Sequence, residues 1–168
     1  DRVVYNQNIE GDGSTVLKVY FKLQFTVKYQ PGTKGTFAEQ STSGLAYGAE
    51  TPAAPDAEND HAPGYSFDGW LPTVAEKVTD DATYVAQWTA NSDTAYTVEY
   101  YYQQMDGKYP TDADATADRT GTTDTTASLT VEDQQPKAGY GETGKSYALA
   151  EDRVVDNQNI KGDGSTVL

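Results

Sequence analysis

A seventeen-residue stretch occurs twice in this chain. DRVVYNQNIEGDGSTVL at 1–17 returns as DRVVDNQNIKGDGSTVL at 152–168, with only Tyr5/Asp156 and Glu10/Lys161 exchanged. Every position of the first copy has its counterpart 151 positions later. A match of this length does not arise by chance, so the chain reads as one period of a tandem array followed by the start of the next. Self-similarity at a fixed period marks repeat architectures. A period of 151 residues exceeds a solenoid unit and suits one or two small domains.

Beyond the first copy, Leu17, Val19, Phe21, Leu23, Phe25, Val27 and Tyr29 all fall on odd positions, and Lys18, Lys22 and Lys28 on even ones. Period-2 alternation over 13 residues is about twice an ordinary strand. One strand of that length would span about 43 Å. Two strands in line are therefore expected: a closing strand near 14–22 and an opening strand near 24–30, joined stiffly because neither Gly nor Pro separates them.

Hydrophobic residues make up 36% of the chain, too few for one large core. Two small modules with thin cores fit better, helped by 13 tyrosines and 2 tryptophans. The net charge of −14 repels phosphate backbones and anionic surfaces. Nucleic-acid binding is not expected. Membrane insertion is not expected either, since no spanning segment appears. With no cysteine, disulfides and thiolate metal sites are excluded.

Pro31-Gly32 marks a turn. Further strands are expected at Thr42–Tyr47, Tyr65–Trp70 and Thr83–Thr89, with a proline-rich loop over 49–63 and a helical turn possible in VAEKVTDD. A polar linker, ANSDTA, covers 90–95. The second half opens on Tyr96, Val98, Tyr100 and Tyr102 sharing one face. Met105–Lys108 is a hairpin turn with Asp-Gly as its signal. The Thr-rich run at 111–128 allows an exposed strand. Leu129–Gln135 reads as a short helix or irregular, Tyr147–Val155 as a strand, and Ser165–Leu168 as the start of a closing strand after the turn Gly162–Gly164.

Gly-Tyr-Ser-Phe-Asp-Gly-Trp at 64–70 and Tyr-Val-Ala-Gln-Trp at 84–88 resemble the two signatures of the Listeria–Bacteroides repeat, the internalin-type B repeat. The opening strand Phe25–Tyr29 stands in the order that family uses. The resemblance covers roughly 24–90 and departs at Leu71-Pro72. Tyr96–Tyr101, Gly139-Tyr140 and the closing GDGSTVL are similar to the mucin-binding-protein type of repeat, over roughly 95–168. Both resemblances imply small ubiquitin-like β-grasp modules in cell-wall-anchored bacterial surface proteins, with no defined catalytic site.

Candidate sites are few. His61, the only histidine, lies in a Pro/Ala/acid loop without an evident orienting partner, so it reads as a solvated loop residue. Asp68 beside Trp70 suggests a glycosidase carboxylate, but it falls on the strand face opposite Tyr65 and Phe67, without a cleft. Lys18, Lys22 and Lys28 lie opposite the apolar stripe, which disfavours an intramolecular isopeptide bond. Asp112, Asp114 and Asp118 place oxygens at alternate positions, the start of a calcium loop. However, Ala117 stands where an EF-hand has Gly, and Thr123 where it has Glu. Calcium is the one cofactor the sequence offers; otherwise none is expected. Tyr101 and Tyr20 point away from the apolar faces of their strands and are the candidate glycan-binding residues. Loops covering both sheet faces would explain the same tyrosines.

The expectation is a mainly β (α+β) chain of two ubiquitin-like β-grasp modules in series, elongated. Residues 1–23 are the closing-strand region of a preceding repeat, 24–90 the Listeria–Bacteroides-type module, and 91–168 the mucin-binding-type module with a truncated last strand. The expected role is not enzymatic: a stalk or spacer of a cell-wall-anchored bacterial adhesin, extracellular, with neighbouring repeats joined head to tail. The alternative is a repeat that itself binds host mucin or glycans.

Overall fold

The structure is a computed structural model that describes residues 8–168; positions 1–7 of the first copy lie outside the described residues. It is mainly β, with 33% of the chain in strands. The only helical element among the described residues is a 3-10 turn at Glu151–Arg153.

The first sheet has four strands: β1 (Gln24–Gln30), β2 (Gln40–Ala46), β3 (Tyr65–Leu71) and β4 (Ala82–Ala90), in the order β2-β1-β4-β3. The central pair, β1 and β4, is parallel, with Tyr29 opposite Tyr84; both outer pairs are antiparallel. The odd-numbered stripe dictates which face of β1 is covered. Phe25, Val27 and Tyr29 are buried, together with Val78 and Tyr84, while Leu45, Trp70, Val74 and Ala82 pack around them. The buried Phe25, Val27 and Val78 each contribute about 1.5–3 kcal/mol by leaving water.

Strict alternation in β3 would place Trp70 on the face opposite Phe67. A bulge between them resets the register, so that Phe67 lies opposite Trp88 and Trp70 opposite Ala86. Gly69, at φ 106°, supplies a backbone conformation that a side chain would strain. Phe67 then stacks edge-on with both Trp70 (5.4 Å) and Trp88 (5.5 Å), and Trp70 reaches Tyr29 (5.0 Å). The Phe-Asp-Gly-Trp spacing thus builds one aromatic ladder across three strands.

The second half carries β5 (Thr94–Tyr100) antiparallel to β6 (Ala115–Gly121), and a short pair of β7 (Thr126–Ala127) with β8 (Gln158–Asn159). Residues 166–168 lie parallel to β5, Val167 opposite Thr97. Val98, Ala127, Ile160 and Leu168 form a second buried cluster, flanked by Tyr96, Tyr100 and Leu129. The tyrosine face of β5 is thus its core face, and the Thr-rich run does form a strand. The Asp-Gly turn closes through Gln104 N–H to the Lys108 carbonyl (2.8 Å).

Four expectations are corrected. Residues 14–22 form no strand, because nothing among the described residues pairs with them, and a lone strand leaves its N–H and C=O groups to water. Tyr147–Val155 is irregular and contains the 3-10 turn. VAEKVTDD holds no helical turn; Lys77 bridges to Glu50 and Val78 fills the core. The linker shrinks to Asn91–Asp93, since β4 and β5 extend into ANSDTA from both sides.

That short junction is bonded on both sides. Asn91 N–H donates to the Gly64 carbonyl (2.8 Å), and the Asn91 carbonyl accepts from Thr123 N–H (2.9 Å). Asp124 accepts from Lys34 Nζ (3.1 Å) and from the Tyr65 hydroxyl, with Lys34 also over the Tyr65 ring. These two bonds hold the Asp124 carboxyl below its ordinary pKa. The accessible surface is 11951 Å², against about 8,100 Å² for a compact monomer of this mass.

Candidate functional site

The repeated segment adopts one local structure in two environments. In the first copy, Glu10 N–H donates to Thr15 Oγ1 (2.7 Å), Thr15 Oγ1 to the Asn8 carbonyl (3.3 Å), Gly13 N–H to the Glu10 carbonyl (3.2 Å) and Ser14 N–H to Asp12 (2.9 Å). In the second, the same four bonds link Lys161 to Thr166 (2.8 Å), Thr166 to Asn159 (3.1 Å), Gly164 to Lys161 (3.0 Å) and Ser165 to Asp163 (3.0 Å). The turn is therefore encoded locally.

Its surroundings differ completely. Ile160 is 2% exposed and Leu168 7%, whereas their counterparts Ile9 and Leu17 are 88% and 69% exposed. Gly162 packs so closely on the first half that a Cβ there would sit 1.9 Å from the Pro63 carbonyl oxygen; Gly11 has nothing within 4 Å. The second copy thus closes its own sheet and seats against the half before it, and the first copy has neither partner among the described residues.

Beside the second closing strand lies a groove of about 730 Å³, lined by β5 and its extension, Val98 to Gln103, by residues 146–150 and 153–155, and by Val167 and Leu168. Its walls leave Leu149, Val155 and Tyr101 partly exposed. Under it, Asp133 anchors the 130–137 loop. Its buried carboxylate accepts from Tyr100 OH (2.6 Å), Arg119 Nη2 (2.7 Å), Thr130 N–H (3.0 Å) and Thr130 Oγ1 (2.6 Å). Burial by itself would raise this carboxyl; the Thr130 and Tyr100 hydrogen bonds and the Arg119 charge outweigh it and hold the group well below the carboxylate range. Tyr100 is pushed up to about 12, by burial first and then by its bond to Asp133. Sequence reasoning missed this network. The reciprocal Thr130/Asp133 pairing, with Asp133 N–H returned to Thr130 Oγ1 (3.1 Å), was its one visible signal.

The candidate residues from the sequence disperse. Tyr101 lines the groove, its hydroxyl bonded to Glu99 (2.6 Å), while Tyr20 stands exposed on the first copy's extension; the two are not brought together within one chain. Asp114 spends a carboxylate oxygen on Tyr102 N–H (2.7 Å), Asp112 is exposed in a bend, and Asp118 sits on β6 opposite Thr97. Among the described residues no three acidic or histidine side chains are grouped to hold a metal ion. His61 is not solvated as expected: it is half-buried, bonded through Nδ1 to the Ala62 carbonyl (2.9 Å) and packed on Trp88 at 5.6 Å. Asp68, Lys18, Lys22 and Lys28 are exposed.

Comparison of the chain with protein-family models, with curated proteins and with solved structures finds no match.

Proposed function

We propose that this chain is a length of tandem-repeat stalk from a bacterial surface adhesin, built of two β-grasp-like modules in series and positioned outside the cell. The observation that carries this reading is the repeated segment, buried as a closing strand at its second occurrence and bare at its first. An element that closes one unit and leads straight into the next is what a chain of units strung end to end requires. The three-residue junction between β4 and β5, bonded on both sides, supports a connection that transmits orientation. The acidic surface keeps such an array soluble. The β-grasp kinship and the cell-surface setting rest on the resemblance of the Gly64–Trp70, Tyr84–Trp88 and Tyr96–Tyr101 motifs. The parallel first and last strands at the centre of the first sheet agree with them. Single-molecule pulling on a multi-period chain tests the mechanical role: evenly spaced unfolding steps are expected, and continuous featureless extension would refute it.

The tyrosine-rich groove favours a second reading, in which the repeat itself binds host mucin or glycans through Tyr101. Saturable binding to a glycan array that vanishes with Tyr101→Ala would replace the stalk reading with this one.

A further inference from the structure

We propose that the Asp124 carboxylate is a latch holding the two halves of the chain in one orientation, and that without it the link Asn91–Asp93 becomes a hinge. Two small bodies on a short link move against each other unless a further contact ties them. The hydrogen bonds at this junction are of two kinds. One kind pins the link to each half separately. Asn91 N–H donates to the Gly64 carbonyl (2.8 Å) and Ser66 Oγ to Asn91 Oδ1 (2.6 Å) on one side, and Thr123 N–H donates to the Asn91 carbonyl (2.9 Å) on the other. The other kind runs directly from half to half. Among the described residues both bonds of that kind, from Lys34 Nζ (3.1 Å) and from the Tyr65 hydroxyl, end on the Asp124 carboxylate.

The backbone presents that group at some cost. Asp124 has φ 63°, in the left-handed region that suits glycine and that Asp tolerates better than most residues. Elsewhere among the described residues only Asn157 and glycines adopt positive φ. A glycine here would be easier for the chain but would lack the carboxylate, and strain kept at one position points to a role for its side chain. Asp124 is anchored from behind. Its N–H donates to the carbonyl of buried Ile160 (2.9 Å), and its neighbour Thr123, 2% exposed, shares a hydroxyl hydrogen bond with Thr94 (2.6 Å). The carboxylate therefore moves with the second core, and its partner Tyr65, buried in β3, moves with the first sheet. Lys34 lies over the Tyr65 ring at 4.3 Å, which seats its ammonium beside the carboxylate.

Beside the latch lies a fulcrum. Gly64 and Gly162 approach so closely that a side chain on Gly64 would strike Gly162 and Thr123, and one on Gly162 the Pro63 carbonyl. Link, glycine contact and latch are three attachments, which fix a rigid body; link and glycine contact alone leave an axis to turn about. The latch is also the tie that yields first. The Asp124 and Lys34 side chains are 53% and 35% exposed, so water can take over their bonds, whereas backbone ladders hold the sheets. The joint opens and recloses without either half unfolding. This goes beyond the stalk reading: a failed latch would leave evenly spaced unfolding untouched, and featureless extension would leave the latch untouched.

The test is pulsed electron paramagnetic resonance on the full chain. Because the chain has no cysteine, nitroxide labels on Ser41→Cys in β2 and Thr116→Cys in β6, both exposed, report the distance between the halves. One narrow distance distribution is expected. Asp124→Gly, which suits its backbone, should widen that distribution about twofold or more. Lys34→Met combined with Tyr65→Phe removes the same two bonds from the other half and should widen it equally. Lys77→Met breaks an ion pair inside the first half, to Glu50, and should leave the width of the parent. Far-ultraviolet circular dichroism should stay unchanged throughout. The proposal is overturned by a parent distribution as wide as that of Asp124→Gly. It is equally overturned if Asp124→Gly or the double variant is no wider than Lys77→Met, or if widening comes only with lost circular dichroism.

Discussion

Ile9 and Ile160 are the same residue of the same turn, and replacing each by alanine isolates the effect of surroundings. Ile160 is 2% exposed among Val98, Ala127 and Leu168. It fits over Gly121 so closely that a Cβ on that glycine would lie 2.5 Å from Ile160 Cδ1. Ile160→Ala removes three carbons at about 0.8 kcal/mol each and leaves a cavity in a core too thin to refill it. The expected loss is about 3 kcal/mol, inside the about 2–5 kcal/mol span of such truncations. Ile9, 88% exposed, should cost less than about 0.5 kcal/mol. Both tryptophans, Trp70 and Trp88, belong to the first sheet, so indole emission reports the wrong half. Amide hydrogen exchange across β5 and β6 reads the right one, and 3 kcal/mol corresponds there to about 100-fold faster opening. Equal exchange in the two variants would refute the claim that one segment lives in two environments.

Gly162→Ala should force the turn off Pro63 and cost about 1–3 kcal/mol, with faster exchange at Thr123 N–H; Gly11→Ala, facing open space, should be silent. Gly69→Ala should cost about 1–3 kcal/mol and red-shift tryptophan emission as Trp70 leaves the ladder, while Asp68→Ala on the exposed side should change neither. The second half should lose stability at both pH extremes, followed by tyrosine near-ultraviolet circular dichroism. Asp133 has its folded pKa depressed, so its contribution is whole above the unfolded value of about 3.9 and fades as pH falls below it. Tyr100 has its folded pKa raised to about 12, so its contribution is whole below about 10 and is lost as pH climbs through 12. Asp133→Asn should flatten the acid limb at a cost of about 2–4 kcal/mol, and an acid limb identical to that of the parent would contradict the assignment.

What the sequence revealed depended on whether the physics was local. The stripe Phe25, Val27, Tyr29 named its buried face correctly, because period-2 alternation needs only one strand to be read. The same stripe misled at 14–22, where the pattern is equally good but no described residue pairs with it. Tyr147–Val155 failed for the same reason: apolar composition suggests a strand, and only a free sheet edge makes one. The bulge that turns Trp70 to the Phe67 side breaks the alternation it was read from, with Gly69 as its one trace. Asp133 was invisible as a keystone, since Tyr100 and Arg119 reach it from strands 33 and 14 residues away. His61 looked solvated because its neighbours in sequence are polar, while its neighbour in space is Trp88. Tyr20 and Tyr101 were singled out for standing on the wrong face, and both are exposed.

Small-angle scattering from chains of one, two and three periods of 151 residues tests the series arrangement most directly. Units closed by a shared segment and joined by a bonded three-residue junction predict a radius of gyration that grows in proportion to the number of periods. Growth as about the square root of that number, the behaviour of freely jointed units, or the weaker growth of a single compact body, about the 0.38 power of length, would contradict it.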